Sequence, residues 1–192
     1  MKEKALVNGS RSALVFYILL TVIFLIFAAG IYILDSYFPL KYEETVMEYS
    51  EEYGVDPALV CGVIATESRF NADAKSDKGA MGLMQIMPET GEWIAGKIGI
   101  GDFTEEMLTD PEVNIEMGIW YLTFLAEKFD GEGDTVIAAY NAGHGNVEKW
   151  LKDAQYSEDG RTLSEIPFEE TRNYVKKVNR AYEIYSKIRK VH

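Results

Sequence analysis

The chain opens with its longest uninterrupted apolar run. From Ala13 to Leu34 there is no charged side chain, a stretch of 22 residues, against the roughly 20 that a helix needs to cross the hydrocarbon core of a bilayer. Downstream the apolar positions become periodic. Tyr42, Val46, Tyr49 and Tyr53 recur at intervals of four and three, the spacing of one helix face. They predict a helix from about Lys41 to Tyr53, ended by Gly54. Asp56-Pro57 places an N-cap residue before a proline at the first helical position and predicts a helix to about Ser68. Asn71 to Ala80, rich in Asp, Ser, Lys and Gly, reads as a loop. Pro88 opens the next helix, with Trp93 and Ile94 expected on its inner side. Asp110-Pro111 repeats the cap-and-proline signal for a helix to about Phe129 that carries Ile115, Ile119, Leu122 and Phe124. Asp134 is expected to cap a short helix through Ala139, closed near Gly143, and Asn146 to Leu151 forms another. Gln155 to Pro167 is polar and irregular. Phe168 begins a long final helix with Tyr174, Val178, Ala181, Tyr182, Tyr185 and Ile188 along one side. With no alternating strand pattern of any length, the expected fold is mostly α.

The flanks of the apolar run give it a direction. Lys2, Lys4 and Arg11 precede it, while Asp35, Glu43 and Glu44 follow it with Lys41. Basic residues stay on the cytoplasmic side of a membrane. The expected order is therefore a cytoplasmic tail over residues 1–12, a transmembrane signal anchor over 13–34, a linker over 35–40 and an extracytoplasmic domain over 41–192. Ala28-Ala29-Gly30 is small enough for a signal peptidase, but Ile31, Tyr32, Ile33 and Leu34 continue the run beyond it. Cleavable signal peptides have apolar stretches of only about 7–15 residues, so an uncleaved anchor is expected. Tyr32, Tyr37 and Phe38 mark its outer interface.

Composition narrows the body of the chain. About 150 residues beyond the apolar run suffice for one domain with a real core. Net charge is −12 overall, and the chain after residue 34 carries 16 basic and 30 acidic side chains. A surface of that sign repels phosphate backbones, which argues against nucleic-acid binding. Cys61 is the sole cysteine, so no internal disulfide or cysteine metal cluster can form. It lies among Leu59, Val60, Val63 and Ile64 and reads as a small buried hydrophobe. With His144 and His192 the only histidines, no zinc site is expected.

Glu67 breaks the pattern. Leu59, Val63 and Glu67 are spaced by four, and Val60, Ile64 and Glu67 by four and three. The carboxyl therefore continues an apolar helix face. Desolvation there favours the neutral acid, and a carboxylic acid protonated near neutrality can donate to a glycosidic oxygen. A helix-end glutamate bending out to solvent gives the same pattern, so periodicity leaves both possibilities open.

Three blocks add to this. The chain reads ATESRFNADAKSDKGAMGLMQIMPETG from Ala65 to Gly91, AAYNAGHGNV from Ala138 to Val147 and IPFEETRNYV from Ile166 to Val175. Together, in this order and separation, they resemble the soluble-lytic-transglycosylase (SLT) type of lytic transglycosylases, in the lysozyme-like superfamily. The resemblance spans about Tyr42 to Ile188. It implies a lysozyme-like helical domain acting on peptidoglycan, with no cofactor and no metal. It implies Glu67 as catalytic acid/base with Ser68 beside it. Ser76, Gln85 and Met87 would contact the glycan, Gly82 would let the backbone pass close to it, Tyr140 and Asn141 would face the acid, and Tyr174 would approach from the last helix. Sugars present flat apolar faces rimmed by hydroxyls, so aromatic, methionine, amide and hydroxyl groups suit such a groove. Tyr140 is also placed to hydrogen-bond Glu67. Met81 and Met84 read as core filler, and Glu170 and Arg172 as makers of structural ion pairs. His144 departs from the family, which often has proline after the NAG triplet.

The resemblance implies cleavage between N-acetylmuramic acid and N-acetylglucosamine with a 1,6-anhydro product, Glu67 acting first as acid and then as base. Two rivals remain. A goose-type muramidase would use Asp73 or Asp77, in the loop after Glu67, to activate water. A wall-binding scaffold module would have little or no activity, which the intact Glu67 argues against.

Overall fold

The computed structural model describes residues 2–189 and Val191, with the side chains of residues 2–12 left aside. Lys190 and His192, one of the two histidines, and Met1, which opens the expected tail, lie outside the described residues. The chain divides into two compact units, residues 1–39 and 40–192.

The first unit is a single helix, α1 (Lys2–Tyr37). Its stretch Ala13–Tyr37 is 25 residues of apolar helix, about 37 Å at 1.5 Å per residue, long enough to cross a membrane. Its large apolar side chains, Phe27 and Tyr32 among them, are exposed. The helix runs through Asp35 to Tyr37, so the segment expected as a linker over 35–40 begins as helix.

The second unit is helical throughout its regular structure: α2 (Glu43–Tyr53), α3 (Pro57–Glu67), α4 (Pro88–Ile98), a 3₁₀ turn (Glu105–Thr109), α5 (Pro111–Lys128), α6 (Gly133–Ala142), α7 (His144–Leu151) and α8 (Glu169–Ile184), which continues as a π turn over Tyr185–Arg189. The expected caps act at two helices. Asp56 accepts from the Ala58 N–H at 2.8 Å, and Asp110 from those of Glu112 and Val113. Asp134 does not cap α6. Glu132 holds the N-cap position, and the Asp134 carboxylate accepts from Asn179 of α8 at 2.7 Å.

The core is built around α3. Val60, Cys61, Val63 and Ile64 are fully buried, and α3 packs along α8 in the most extensive helix pair among the described residues. Gly62 permits that approach: a Cβ there would stand 3.1 Å from the Tyr182 backbone nitrogen. Tyr174, Val178 and Ala181 of α8 and Tyr185 of the π turn are buried, whereas Ile188 of that turn is exposed. Tyr182 faces outward and donates to Asp56. On α5, Ile115, Ile119 and Leu122 are buried, while Phe124 is half-buried. On α4, Ile94 is buried but Trp93 is exposed, where it joins a surface cluster of aromatic rings.

Candidate functional site

α3 ends at Glu67, so the carboxyl stands where an apolar helix meets a loop. Arg69 and Phe70 follow in left-handed conformation, and Phe70 is driven into the core against Tyr185. This reversal sends residues 71–87 back across the end of α3. Ser68, the C-cap, turns its hydroxyl onto the Ile64 carbonyl at 3.2 Å.

The loop is tightly held. Ser76 pairs with Ala80 through the backbone, and its Oγ also accepts from the Ala80 N–H at 2.9 Å. Met81 and Ile86 exchange both backbone hydrogen bonds at 3.0 Å. Gln85 sits at φ 51 and donates its side-chain amide to the carbonyls of Ala74 and Gly82. Met81 and Met84 are core residues, while Met87 is exposed. Gly82 packs closely against the layer beneath the loop. A Cβ there would lie 2.1 Å from the Leu108 carbonyl oxygen and 2.3 Å from the Asn114 amide, so glycine is required by packing beneath the loop.

Asn114 escaped the sequence reading. It is fully buried in α5, accepts from the Met84 N–H at 2.7 Å, and donates to the carbonyls of Met81 (3.0 Å) and Leu108 (2.8 Å). One amide thus ties the loop to the 3₁₀ turn. A signal existed: Asn114, Gly118 and Leu122 are spaced by four, which puts a polar group on a buried stripe.

Loop, α6 and α8 together enclose a cavity of about 380 Å³ with Glu67 in its wall. Ser76, Asp77 and Gln85 line it from the loop, Met87 from the start of α4, Tyr140 and Asn141 from the end of α6, and Glu170 from α8. Of the expected site residues, the structure brings Glu67, Ser76, Gln85, Met87, Tyr140 and Asn141 to this one cavity. Ser68 and Asp73 do not line it. Tyr174 reaches Glu67 itself, its phenol donating to Oε1 at 2.7 Å. The bond that seemed available to Tyr140 therefore belongs to Tyr174. Tyr140 donates instead to the Met84 carbonyl at 2.8 Å, bracing α6 against the loop. Asn141 is oriented by Thr171, whose hydroxyl donates to its Oδ1 at 2.8 Å. Glu170 reaches Lys78 across the mouth at 3.7 Å, both exposed. Among the described residues Arg172 has no ion-pair partner; it donates to the carbonyls of Ile166 and Pro167.

The electrostatics follow from burial. Desolvation pushes the Glu67 carboxyl from its ordinary 4.5 up to about 7, against the opposing bond from Tyr174 and with the Glu170 charge adding to the rise. Burial, then the Glu67 charge, raises the phenols of Tyr174 and Tyr140 well above 10, so both remain donors at physiological pH. Burial likewise pushes the Cys61 thiol up to about 12, which fits an inert core cysteine. Among the described residues no three His, Cys, Asp or Glu side chains converge to hold a metal ion.

A carboxyl raised by burial in the wall of a cleft, on a helical domain of this size, is consistent with the lysozyme-like class. Residues 44–162 match the Transglycosylase SLT domain, and the chain belongs to that family. It is 37% identical over 154 residues to the soluble lytic murein transglycosylase of Salmonella typhimurium strain LT2, a match covering 79% of this chain and 24% of that protein. It is 34% identical to the membrane-bound lytic murein transglycosylase C of Edwardsiella ictaluri, over 78% of this chain and 47% of the relative. The solved structure of an inactive mutant of lytic transglycosylase Slt from Pseudomonas aeruginosa superposes with a TM-score of 0.73 at 34% identity, over 82% of this chain and 26% of the other. The chain thus spans about a quarter of the soluble relative and about half of the membrane-bound one.

Proposed function

We propose that the chain is a membrane-anchored lytic transglycosylase that cleaves the bond between N-acetylmuramic acid and N-acetylglucosamine in peptidoglycan, with Glu67 as sole acid and base. The observation that carries this is the Glu67 carboxyl, raised to about 7 by burial and oriented by Tyr174 at 2.7 Å in a cavity lined by amide, hydroxyl and thioether groups. Its membership of the SLT family supports the same reading.

Protonated Glu67 gives its proton to the glycosidic oxygen, and the bond from that oxygen to C1 of muramic acid breaks. The carbonyl oxygen of the sugar's own acetamido group bonds to C1 and carries the positive charge. Glu67, now a carboxylate, takes the proton of the C6 hydroxyl as O6 displaces the acetamido oxygen from C1. The 1,6-anhydro ring closes, Glu67 regains its proton and no water is consumed. Ser76, Gln85, Met87, Tyr140 and Asn141 hold the glycan. The hydrolytic alternative rests on Asp77, which lines the same cavity. Asp73, outside the lining, is the weaker candidate for that role.

Digestion of purified peptidoglycan by the full chain in detergent, with products weighed by mass spectrometry, separates the two. Anhydro ends support the transglycosylase, and ends heavier by one water support the hydrolase. Glu67→Gln should abolish either activity, and retained cutting overturns the assignment of Glu67. For the anchor, the basic residues before α1 and the acidic ones after it support a cytoplasmic N-terminus and an extracytoplasmic body over residues 41–192. Protease added outside intact spheroplasts should then digest the body, and a protected body overturns that orientation.

A further inference from the structure

The junction of α2 and α3 carries features that the Glu67 cleft does not use. A cavity of about 420 Å³ opens there, lined by Met47, Ser50 and Glu51 of α2 and by Val55, Asp56 and Pro57 where α3 begins. It shares no lining residue with the Glu67 cavity. Asp56 caps one end of α3 and Glu67 closes the other, so the helix holds the two about 16 Å apart at 1.5 Å per residue. A molecule seated at the junction leaves the cleft open.

Two side chains of this cavity are out of place. Ser50 is 3 % exposed, and among the described residues its Oγ is the one buried side-chain oxygen or nitrogen with no hydrogen-bond partner. Buried hydroxyls are nearly always paired. Met47 does the reverse and exposes an apolar side chain. The rim is acidic. α2 carries Glu43, Glu44, Glu48, Glu51 and Glu52 and no basic residue, and all five are exposed. Glu44, Glu48, Glu51 and Glu52 share one outer face of the helix. Among the described residues none of them has an ion-pair partner.

A complementary surface stands on the same chain. Between Lys176 and Arg189 the basic residues Lys176, Lys177, Arg180, Lys187 and Arg189 face a single acid, Glu183. Ile188 of the π turn is 57 % exposed between Lys187 and Arg189. Lys187 is held only by Glu183 of its own helix, at 3.8 Å and in the open, a weak kind of pair. Cavity and turn lie at one end of the α3–α8 pair. Tyr182 donates to Asp56 in the cavity wall at 3.0 Å, and Ile188 follows about 9 Å further along the helix.

We propose that this end of the body is a self-complementary docking surface, and that its partner is a second copy of the chain. Ile188 of each copy covers Met47 of the other. Lys187 lays its methylene stem along Val55 and Pro57 and donates to Glu51 and to Ser50 Oγ. Each copy carries both halves of the match, so a two-fold axis makes every contact twice. The Glu67 clefts, at the far ends of α3, stay open.

Sedimentation of the full chain in density-matched detergent tests this. The parent should show a concentration-dependent dimer. Ile188→Ser should raise its dissociation constant about tenfold, the scale of one buried aliphatic side chain. Lys187→Glu and Glu51→Lys should each weaken it at least as much. The double variant carrying both charge reversals should regain most of that loss, since each reversed charge again meets its opposite. All three positions are exposed, so the variants should melt with the parent. A parent that is monomeric at every concentration overturns the proposal. A dimer left unchanged by Ile188→Ser and Lys187→Glu assigns association to α1 and overturns it too, as does a double variant no tighter than the singles. A monomeric parent that binds a blocked hexalysine peptide, with binding lost in Glu51→Lys, assigns the cavity to a basic segment of another protein and likewise overturns the second copy.

Discussion

The phenol of Tyr174 donates to Glu67 Oε1 across 2.7 Å, although 107 positions separate the two residues in the chain. A donor to a carboxylate stabilises its charged form, and the Glu170 charge does the reverse. The two neighbours therefore pull the Glu67 proton in opposite directions. The cleavage step needs that proton, so kcat/KM should fall as pH rises through about 7. Tyr174→Phe should move this fall to higher pH and Glu170→Gln to lower pH. Profiles of kcat/KM against pH for the three chains check this, and shifts of the same sign in both variants would refute the assignment.

Stability should carry the same signature. A carboxyl raised from 4.5 to about 7 binds its proton more tightly folded than unfolded. Between those values the native state holds more protons, so stability declines as pH rises through that window. Glu67→Gln keeps an acceptor for Tyr174 and removes the charge. It should melt with the parent near pH 4 and be more stable by roughly 3 kcal/mol near pH 8. Thermal unfolding at both values measures this difference.

Asn114 satisfies three buried backbone groups. Asn114→Ala leaves an N–H and two carbonyls unpaired and should cost about 3 kcal/mol. Cutting should fall further than the lost folded fraction explains, because the loop carrying Gln85 is freed. Activity normalised to folded protein by circular dichroism isolates that part.

Two glycines of the same loop should respond differently. Gly79 has φ 91 and open space where a Cβ would go, whereas Gly82 has φ 79 and a backbone carbonyl 2.1 Å away. Gly79→Ala should cost about 1 kcal/mol of left-handed strain. Gly82→Ala adds a collision with Leu108 and should cost several kcal/mol. Denaturant midpoints of the two variants give the comparison.

Asp77 supplies the last test. Asp77→Asn should leave anhydro products and their rate within about threefold of the parent if Glu67 works alone. A collapse of activity there would favour the water-activating route.

The local signals were legible in the sequence. Asp56-Pro57 and Asp110-Pro111 start helices because their carboxylates find the first free N–H groups, and Glu67 lies on the stripe its spacing gave. Pairings across the chain were not legible. Tyr140 and Tyr174 both face the end of α3, and only the packing of α8 decides which phenol reaches Glu67. Trp93 looked inward by period, yet a ring can gain its contacts from other surface rings as well as from a core. Arg172 looked like half of an ion pair, and two carbonyls just before its own helix hold it instead.

The Asn114 amide also bears on how a strand is received. The loop is fastened from below by Asn114, from within by Gln85 and from the side by Tyr140, all before any sugar arrives. A floor so anchored acts as a mould, not a jaw. Little ordering entropy is left to be spent at binding, and accommodation falls to the glycan, which must bend to the contour it meets. Free and occupied forms should then share one backbone shape here, and selectivity should act at entry, against strands too stiff or too decorated to take the curve.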